Sequence, residues 1–229
     1  MKLSTKLIIF VAIIITLVSV GLYLTPVKTV NTVEKIEVNY NFLENVTVII
    51  RAYLNDIERQ MGSGVIIDYK NGYTYILTCY HVIKIDKNDI RVVDMYRERN
   101  AIIVAIDKRN DLAVIKIRGK LRYKKPIVGI KEAVLGEKAY GIGHHLGRLY
   151  IYGEGVVGGY DSSRLIVQLP CLFGDSGSGV FNKNGELIGI VDAVSVVRLN
   201  FAYTIDVAHA ICIDVYDIKA FLDTIKELK

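Results

Sequence analysis

From residue 46 onward the apolar positions fall in short runs broken by turn residues, a rhythm that predicts strands rather than helices. Val46–Ala52 and Gly64–Asp68 have strand-like patterns, and Lys70-Asn71-Gly72 forms a turn before the next run, Tyr73–Cys79. Asn-Gly between two apolar runs is a strong short-range hairpin signal. The series continues through Ile90–Asp94, Ala101–Ile106 and Leu112–Ile117, and a break follows at Gly119–Pro126. It resumes with Lys138–Ile142, Gly155–Gly158, Leu165–Leu169, Gly179–Phe181, Leu187–Val191 and Phe201–Ile205. Many short β-branched segments with regular turns predict a sandwich or barrel. Helical spacing occurs only at the end, where Val215, Ile218, Phe221, Leu222, Ile225 and Leu228 recur at three- and four-residue steps. That pattern predicts a helix over residues 215–228, packed on the body of the domain.

The N-terminus has a different pattern. Leu7 to Leu24 is uncharged and almost wholly apolar, with Lys2 and Lys6 before it. As a helix such a run spans about 27 Å, close to the hydrocarbon thickness of a bilayer. It is longer than the apolar core of a cleaved signal and lacks a clear small-residue cleavage site. Residues 1–24 therefore read as an uncleaved signal-anchor, a single membrane-spanning helix. The positive charge before the span places the N-terminus in the cytoplasm and the remaining chain outside it. Residues 25–44 are polar-mixed and read as a tether, and residues 45–229 as the folded domain.

Composition narrows the classes further. The chain has 229 residues, 52% of them hydrophobic, and a formal net charge of +5. That is enough chain to bury a core without staples. The basic residues are scattered, the densest spots being residues 97–99 and 122–125, so no nucleic-acid partner is expected. Cys79, Cys171 and Cys212 show no metal-type spacing and allow at most one internal bridge; buried free thiols are the simpler reading. His144, His145 and His209 read as structural or exposed, and neither metal nor organic cofactor is implied. Asn45-Val46-Thr47 has the form of a glycosylation sequon, or of an ordinary turn before a strand.

The candidate chemistry centres on Gly174-Asp175-Ser176-Gly177-Ser178-Gly179. A serine hydroxyl is a weak nucleophile that needs a base beside it and donors for the developing oxyanion. Glycines around it permit a tight turn that aims successive N–H groups into one volume. No Gly-Lys-Ser/Thr follows, which removes a phosphate-cradle reading. His81 ends the strand-like run Leu77-Thr78-Cys79-Tyr80, and Asp111 opens Leu112-Ala113-Val114-Ile115. The order His, Asp, Ser is that of chymotrypsin-type enzymes.

On these residues the sequence resembles the trypsin-like serine peptidases, and within them the HtrA/Deg branch. Met61-Gly62-Ser63-Gly64-Val65, Asn110-Asp111-Leu112-Ala113-Val114, Ala139-Tyr140-Gly141-Ile142-Gly143 and Asn184-Gly185-Glu186-Leu187-Ile188-Gly189 carry the likeness, which extends over about residues 45–210. The resemblance implies an all-β fold of two antiparallel six-stranded barrels, residues 45–118 and 127–210, with the active site between them. It implies His81 as general base, Asp111 as its orienting carboxylate, Ser176 as nucleophile, and the N–H groups of Gly174 and Ser176 as oxyanion hole. Cys171, Leu172, Phe173, Val191, Asp192, Ala193, Val194 and Phe201 would line the substrate pocket. With no acidic base and with Val194 and Phe201 where deep pockets have glycines, that pocket should take a small aliphatic residue. The expected partners are polypeptide substrates and the membrane, and trimers, common in this branch, rest on the resemblance alone.

Four features depart from the branch. Asp175 stands where Asn is usual and needs a donor, with Arg148 or Arg164 as candidates. With one helix expected beyond the second barrel, a PDZ domain such as typically follows in this branch is not expected here. Asp192 stands where Ser or Thr is usual and brings a second carboxylate towards Asp111, unless its side chain turns to the surface. The pocket positions lack an acidic base. A protease-fold module that binds peptides without cutting them is the competing expectation.

Overall fold

The computed structural model describes residues 38–86, 88–93, 97–121, 124–199 and 202–229. The expected anchor and most of the expected tether lie outside these residues, as does Phe201. Among the described residues no helix is long and apolar enough to cross a membrane.

Two β lobes make up the domain. In the first, β1 (Thr47–Leu54), β2 (Ile57–Lys70), β3 (Tyr73–Cys79), β4 (Ile90–Val93), β5 (Glu98–Asn100), β6 (Ile102–Asp107) and β7 (Leu112–Arg118) form one antiparallel sheet. Its order is β5-β4-β1-β2-β3-β7-β6. The β1–β2 turn places Asn55 and Asp56 at φ 53° and 60°, and the β2–β3 turn places Asn71 and Gly72 at 53° and 79°. Paired positive φ values at two-residue turns suit the right-handed twist of hairpins, and Asn, Asp and Gly tolerate them best.

The sheet differs from the expected six-stranded barrel in its last strand. Its edges, β5 and β6, are separated in sequence only by Ala101, so one bent run pairs with β4 first and with β7 afterwards. Arg99 on β5 also donates to the carbonyls of Arg118 and Lys120 beyond the sheet's far side. The sheet is therefore wrapped round on itself through a bend instead of through a seventh ladder.

The second lobe is a closed six-stranded barrel of order β10-β13-β12-β11-β8-β9. Its strands are β8 (Lys138–Gly143), β9 (Ile151–Asp161), β10 (Arg164–Gln168), β11 (Gly179–Phe181), β12 (Leu187–Leu199) and β13 (Ala202–Asp214). Hairpin β12–β13 runs well past the predicted Val191, because its outer half is ladder-paired without a continuous apolar pattern.

Helices connect the lobes. The segment assigned to the tether ends in α1 (Tyr40–Val46), capped by Asn39 Oδ1 accepting the Phe42 N–H at 3.1 Å. Leu43 and Val46 are fully buried, and the Phe42 ring meets Phe181 of β11 edge-on at 5.8 Å between centroids. α2 (Tyr80–Ile83) is one turn that buries Val82 and Ile83 and leaves His81 half-buried. α3 (Val215–Asp223) starts on an Asp214 cap and buries Val215, Ile218 and Phe221. It stops short of the predicted Leu228: Ile225 is extended, and a 3-10 turn, Lys226–Leu228, follows. The apolar spacing outlasts the helix because Ile225 is still buried and Leu228 still packs on the core.

The larger core joins first-lobe strands with Phe181, Leu187 and Ile190 of the second lobe and with α1 and α3. A smaller core fills the second barrel around Val167, Val180, Ile188 and Cys212.

Candidate active site

A cleft of about 360 Å³ brings together His81, Leu172, Phe173, Gly174, Ser176, Val191, Asp192, Ala193 and Val194, with Gln60 and Met61 on its wall. Nearly every residue assigned to catalysis or substrate contact from sequence is in this set. Asp111 stands behind His81. Cys171 is the exception: it is buried in the core of the second barrel, so it does not line the cleft. Its apolar thiol side chain is turned inward while its neighbour Leu172 reaches the cleft. Gln60 and Met61 escape sequence reasoning because nothing in the run before Gly62-Ser63-Gly64 marks them as facing a site.

His81 is positioned by its own helix turn and by Asp111. The Asp111 residue has φ 59°, a left-handed conformation that Asp tolerates, at the end of the tight β6–β7 turn. Asp107 ties that turn by accepting the N–H groups of Arg109 and Asn110. Asp111 Oδ1 accepts the His81 N–H at 2.9 Å, and Oδ2 faces His81 Nδ1 at 2.5 Å. The Tyr80 N–H donates to the Asp111 carbonyl. Burial alone would raise the Asp111 carboxyl, yet the hydrogen bond and charge of His81 hold it below the usual carboxylate range.

Ser176 lies on a loop stitched to the first lobe. The Ser63 N–H donates to the Ser176 carbonyl at 2.8 Å, and the Gly177 N–H to the Val191 carbonyl. Gly177, at φ 87°, admits no side chain, because a Cβ would fall 2.1 Å from the Ser63 carbonyl oxygen. A Cβ on Gly174, at φ 105°, would likewise fall 2.2 Å from the His144 carbonyl oxygen. Among the described residues the N–H groups of Gly174 and Ser176 donate to no protein acceptor. The Ser176 hydroxyl donates to the Asp192 carbonyl at 3.3 Å, not to His81. Catalytic hydrogen bonds are often loose in a resting site and tighten with substrate.

Asp192 touches each of these groups. One carboxylate oxygen is 3.9 Å from His81 Nδ1, and the other meets Arg164 Nη2 at 3.2 Å. Burial, then a hydrogen bond with Asp111 and the charge of that carboxylate, push Asp192 up to about 6 against the opposing pull of Arg164 and His81. The Asp192 side chain points into the site, beside His81 and Arg164 and next to the Asp111 carboxylate, contrary to a surface-turned reading. Cys79, behind them, donates its thiol to the Val191 carbonyl at 3.3 Å. Burial and the two aspartates hold that thiol protonated.

Ligand atoms of Cys79, His81, Asp111 and Asp192 spread over up to 4.8 Å. His81 and Asp111 of this group are joined by a hydrogen bond, and Cys79 donates instead to the Val191 carbonyl.

Asp175 does not take either of the donors expected for it, and Arg164 goes to Asp192 instead. Asp175, almost fully buried, pairs with His145 Nε2 at 2.7 Å instead of with Arg148 or Arg164. Arg164 opens β10 opposite Ile213 of β13, one rung from the Cys212–Val191 pair, and this register delivers it to Asp192.

Comparison with known proteins bears on the family and the fold. The family profile described as "Trypsin-like peptidase domain" matches residues 62–190. The chain is 31% identical over 183 residues to the serine endoprotease DegS of Haemophilus influenzae, covering 69% of this chain and 52% of that protein. It is 30% identical over 145 residues to the periplasmic pH-dependent serine endoprotease DegQ of Escherichia coli, covering 58% and 31%. Against these relatives the chain spans between about a third and about half of their length. The crystal structure of a serine endoprotease from Yersinia pestis superposes with a TM-score of 0.66 at 24% identity, over 83% of this chain and 67% of that one.

Proposed function

Since the chain belongs to the trypsin-like peptidase family, we propose that it is a serine endopeptidase of the HtrA/Deg kind, with His81, Asp111 and Ser176 as its catalytic residues. The observation that carries this reading is the 2.5 Å contact of His81 Nδ1 with Asp111 Oδ2, behind the cleft that also holds Ser176. In the reaction the Ser176 hydroxyl swings from the Asp192 carbonyl to His81 Nε2 and attacks the scissile carbonyl carbon. Its proton passes to Nε2, the carbonyl electron pair moves onto oxygen, and the N–H groups of Gly174 and Ser176 receive that oxyanion. His81 then gives the proton to the leaving amine, and water repeats the sequence on the acyl-enzyme. Asp111 keeps the imidazole in the Nδ1–H tautomer and stabilises the imidazolium.

The cleft walls are apolar apart from Gln60, Asp192 and the catalytic groups. A small aliphatic residue, Ala, Val or Ile, before the scissile bond fits them, since a lysine or arginine would find no acid deep in the pocket other than Asp192, already paired with Arg164. Residues 1–24 as a single-pass anchor, with the peptidase domain outside the cytoplasm, complete the proposal, along with a trimeric assembly and a role in quality control or processing of extracytoplasmic proteins. The sequence pattern of residues 7–24 and the periplasmic naming of relatives such as DegQ support the location.

One observation favours a second reading, a peptide-binding module of the same fold: the Ser176 hydroxyl is bonded to the Asp192 carbonyl and not to His81. A peptide-library digest with Ser176→Ala as control decides between them. The enzyme reading predicts cleavage after Ala, Val or Ile that the variant abolishes. Cleavage after Lys or Arg contradicts the pocket assignment, and no cleavage by either protein favours the binding module.

A further inference from the structure

The loop that carries Ser176 is braced by the segment 143–148, and the brace converges on one buried charge. Asp175 is 3% exposed, and a carboxylate at that depth needs donors or a counter-ion to stay ionised. Its Oδ2 accepts the Leu172 N–H at 2.8 Å and meets His145 Nε2 at 2.7 Å. Its Oδ1 lies over Gly143, where a Cβ would come within 2.0 Å. The residue at 143 must therefore be glycine for the carboxylate to sit where it does.

The same segment grips the peptide next to the nucleophile. The Leu146 N–H donates to the Phe173 carbonyl at 2.7 Å, and the His144 carbonyl oxygen fills the space that a Cβ on Gly174 would need. The Ser63 hydroxyl joins His144 Nδ1, at 2.7 Å, to the Gly174 carbonyl, at 3.0 Å. Asp175 stands between the two residues whose N–H groups form the proposed oxyanion hole. A rotation of its backbone turns both donors at once. The backbone contacts limit where the loop lies, and the side-chain pair limits how it is turned.

We propose that His145 is a positioning residue for the peptidase reaction: by holding the Asp175 carboxylate beneath the loop, it fixes the direction of the Gly174 and Ser176 N–H groups. This role rests on the peptidase reading. The 2.7 Å approach of His145 Nε2 to Asp175 Oδ2 places the imidazole edge against the carboxylate. Arg164 is committed to Asp192. The donor for Asp175 is thus part of the folded barrel, delivered by the short 3-10 turn His145–Gly147 that follows β8. In this arrangement the loop takes its working shape as the domain folds, without a donor supplied by cleavage of the chain.

The test compares wild type, His145→Ala, His145→Gln and His145→Asn by kcat and KM on a cleavable peptide, with thermal unfolding alongside. Losing one oxyanion donor outright typically costs about 10²–10³ in kcat. Misdirecting two donors without removing them should cost less, so His145→Ala is expected to lower kcat by about 10–100-fold with KM changed by less than about 3-fold. Gln can place an amide N–H near the position of Nε2 and should recover most of the rate, whereas the shorter Asn should not. A folded His145→Ala enzyme with wild-type kcat overturns the proposal. Should His145→Ala not fold, equal kcat for the Gln and Asn variants overturns it. A merely structural role would lower the unfolding temperature and leave kcat per folded molecule unchanged in all three variants. Labelling by a fluorophosphonate separates the two levels of inference. Wild type left unlabelled overturns the peptidase reading and this role with it, whereas labelled wild type with an unaffected His145→Ala kcat overturns this role alone.

Discussion

Replacing Asp192 by Asn should make the protein more stable, and the gain should depend on pH in one direction. Asp192 is raised from 3.8 to about 6 by burial and by the adjacent Asp111. In the unfolded chain it ionises near 3.8, while in the native protein it keeps its proton until about 6. Between those values the native state binds the additional proton, so its stability falls as pH rises through the window and then levels off above it. A displacement of that size corresponds to roughly 3 kcal/mol at about 1.36 kcal/mol per unit. Water reaches one side of the cleft and screens the carboxylate there, which brings the usable part down to about 1–2 kcal/mol. The amide of the variant has no charge to desolvate and can still donate to Asp111. The wild-type ion pair with Arg164 forms only as Asp192 ionises, and its favourable pull is already contained in the value of about 6. The unfolding free energies of wild type and Asp192→Asn, measured in urea from about pH 4 to pH 8, should therefore diverge. The variant should gain on the order of 1–2 kcal/mol relative to wild type between about pH 4 and pH 6, with no further change above. Contributions from groups that do not contact Asp192 largely cancel in the difference, while Asp111 titrates together with Asp192 and belongs to the measured effect. A difference that is flat with pH, or that favours wild type increasingly as pH rises, would refute the placement of Asp192 in a carboxyl pair with Asp111.

Other substitutions probe the packing and the charge cluster separately. Gly143→Ala puts a Cβ 2.0 Å from Asp175 Oδ1 and should cost about 1–3 kcal/mol in urea unfolding together with most of the kcat. Gly153→Ala, whose nearest contact is Leu169 Cδ1 at 3.3 Å, should be much milder in both. Phe181 is fully buried against Phe42, so Phe181→Ala should lower stability by about 3–5 kcal/mol, read as a lower urea midpoint. Asp111→Asn should leave the circular dichroism spectrum intact and lower kcat about 10⁴-fold, because the His81 ring loses the acceptor that sets its tautomer.

Local chemistry was legible in the sequence wherever it determined structure locally. Asn71-Gly72 announces its hairpin because those two residues take positive φ with little strain, and the runs Tyr73–Cys79 and Leu112–Ile117 are apolar because they are buried on nearly every residue. The glycine-flanked Ser176, with His81 and Asp111 in chain order, placed the cleft for the same reason. What escaped the pattern depends on packing between distant segments. α1 is two turns long, too short for a helical period to stand out, and Phe42 and Leu43 look like any tether residues until β11 is laid against them. The bend at Ala101 is set by the two sheet edges that the run must reach. Cys171 and Leu172 differ in direction and not in chemistry. That Arg164 reaches Asp192 and His145 reaches Asp175 follows from the register of β10 on β13 and from the turn after β8, and neither can be read from residue type.

Whether Ser176 is an activated nucleophile decides everything else proposed for this chain. Intact-mass analysis of the folded protein after exposure to a fluorophosphonate probe tests it most directly, with Ser176→Ala and His81→Ala alongside. One adduct is expected on wild type, mapped to Ser176, with none on Ser176→Ala and a strongly slowed reaction for His81→Ala. Wild type that stays unmodified while folded, or that is modified equally in the Ser176→Ala variant, would contradict it.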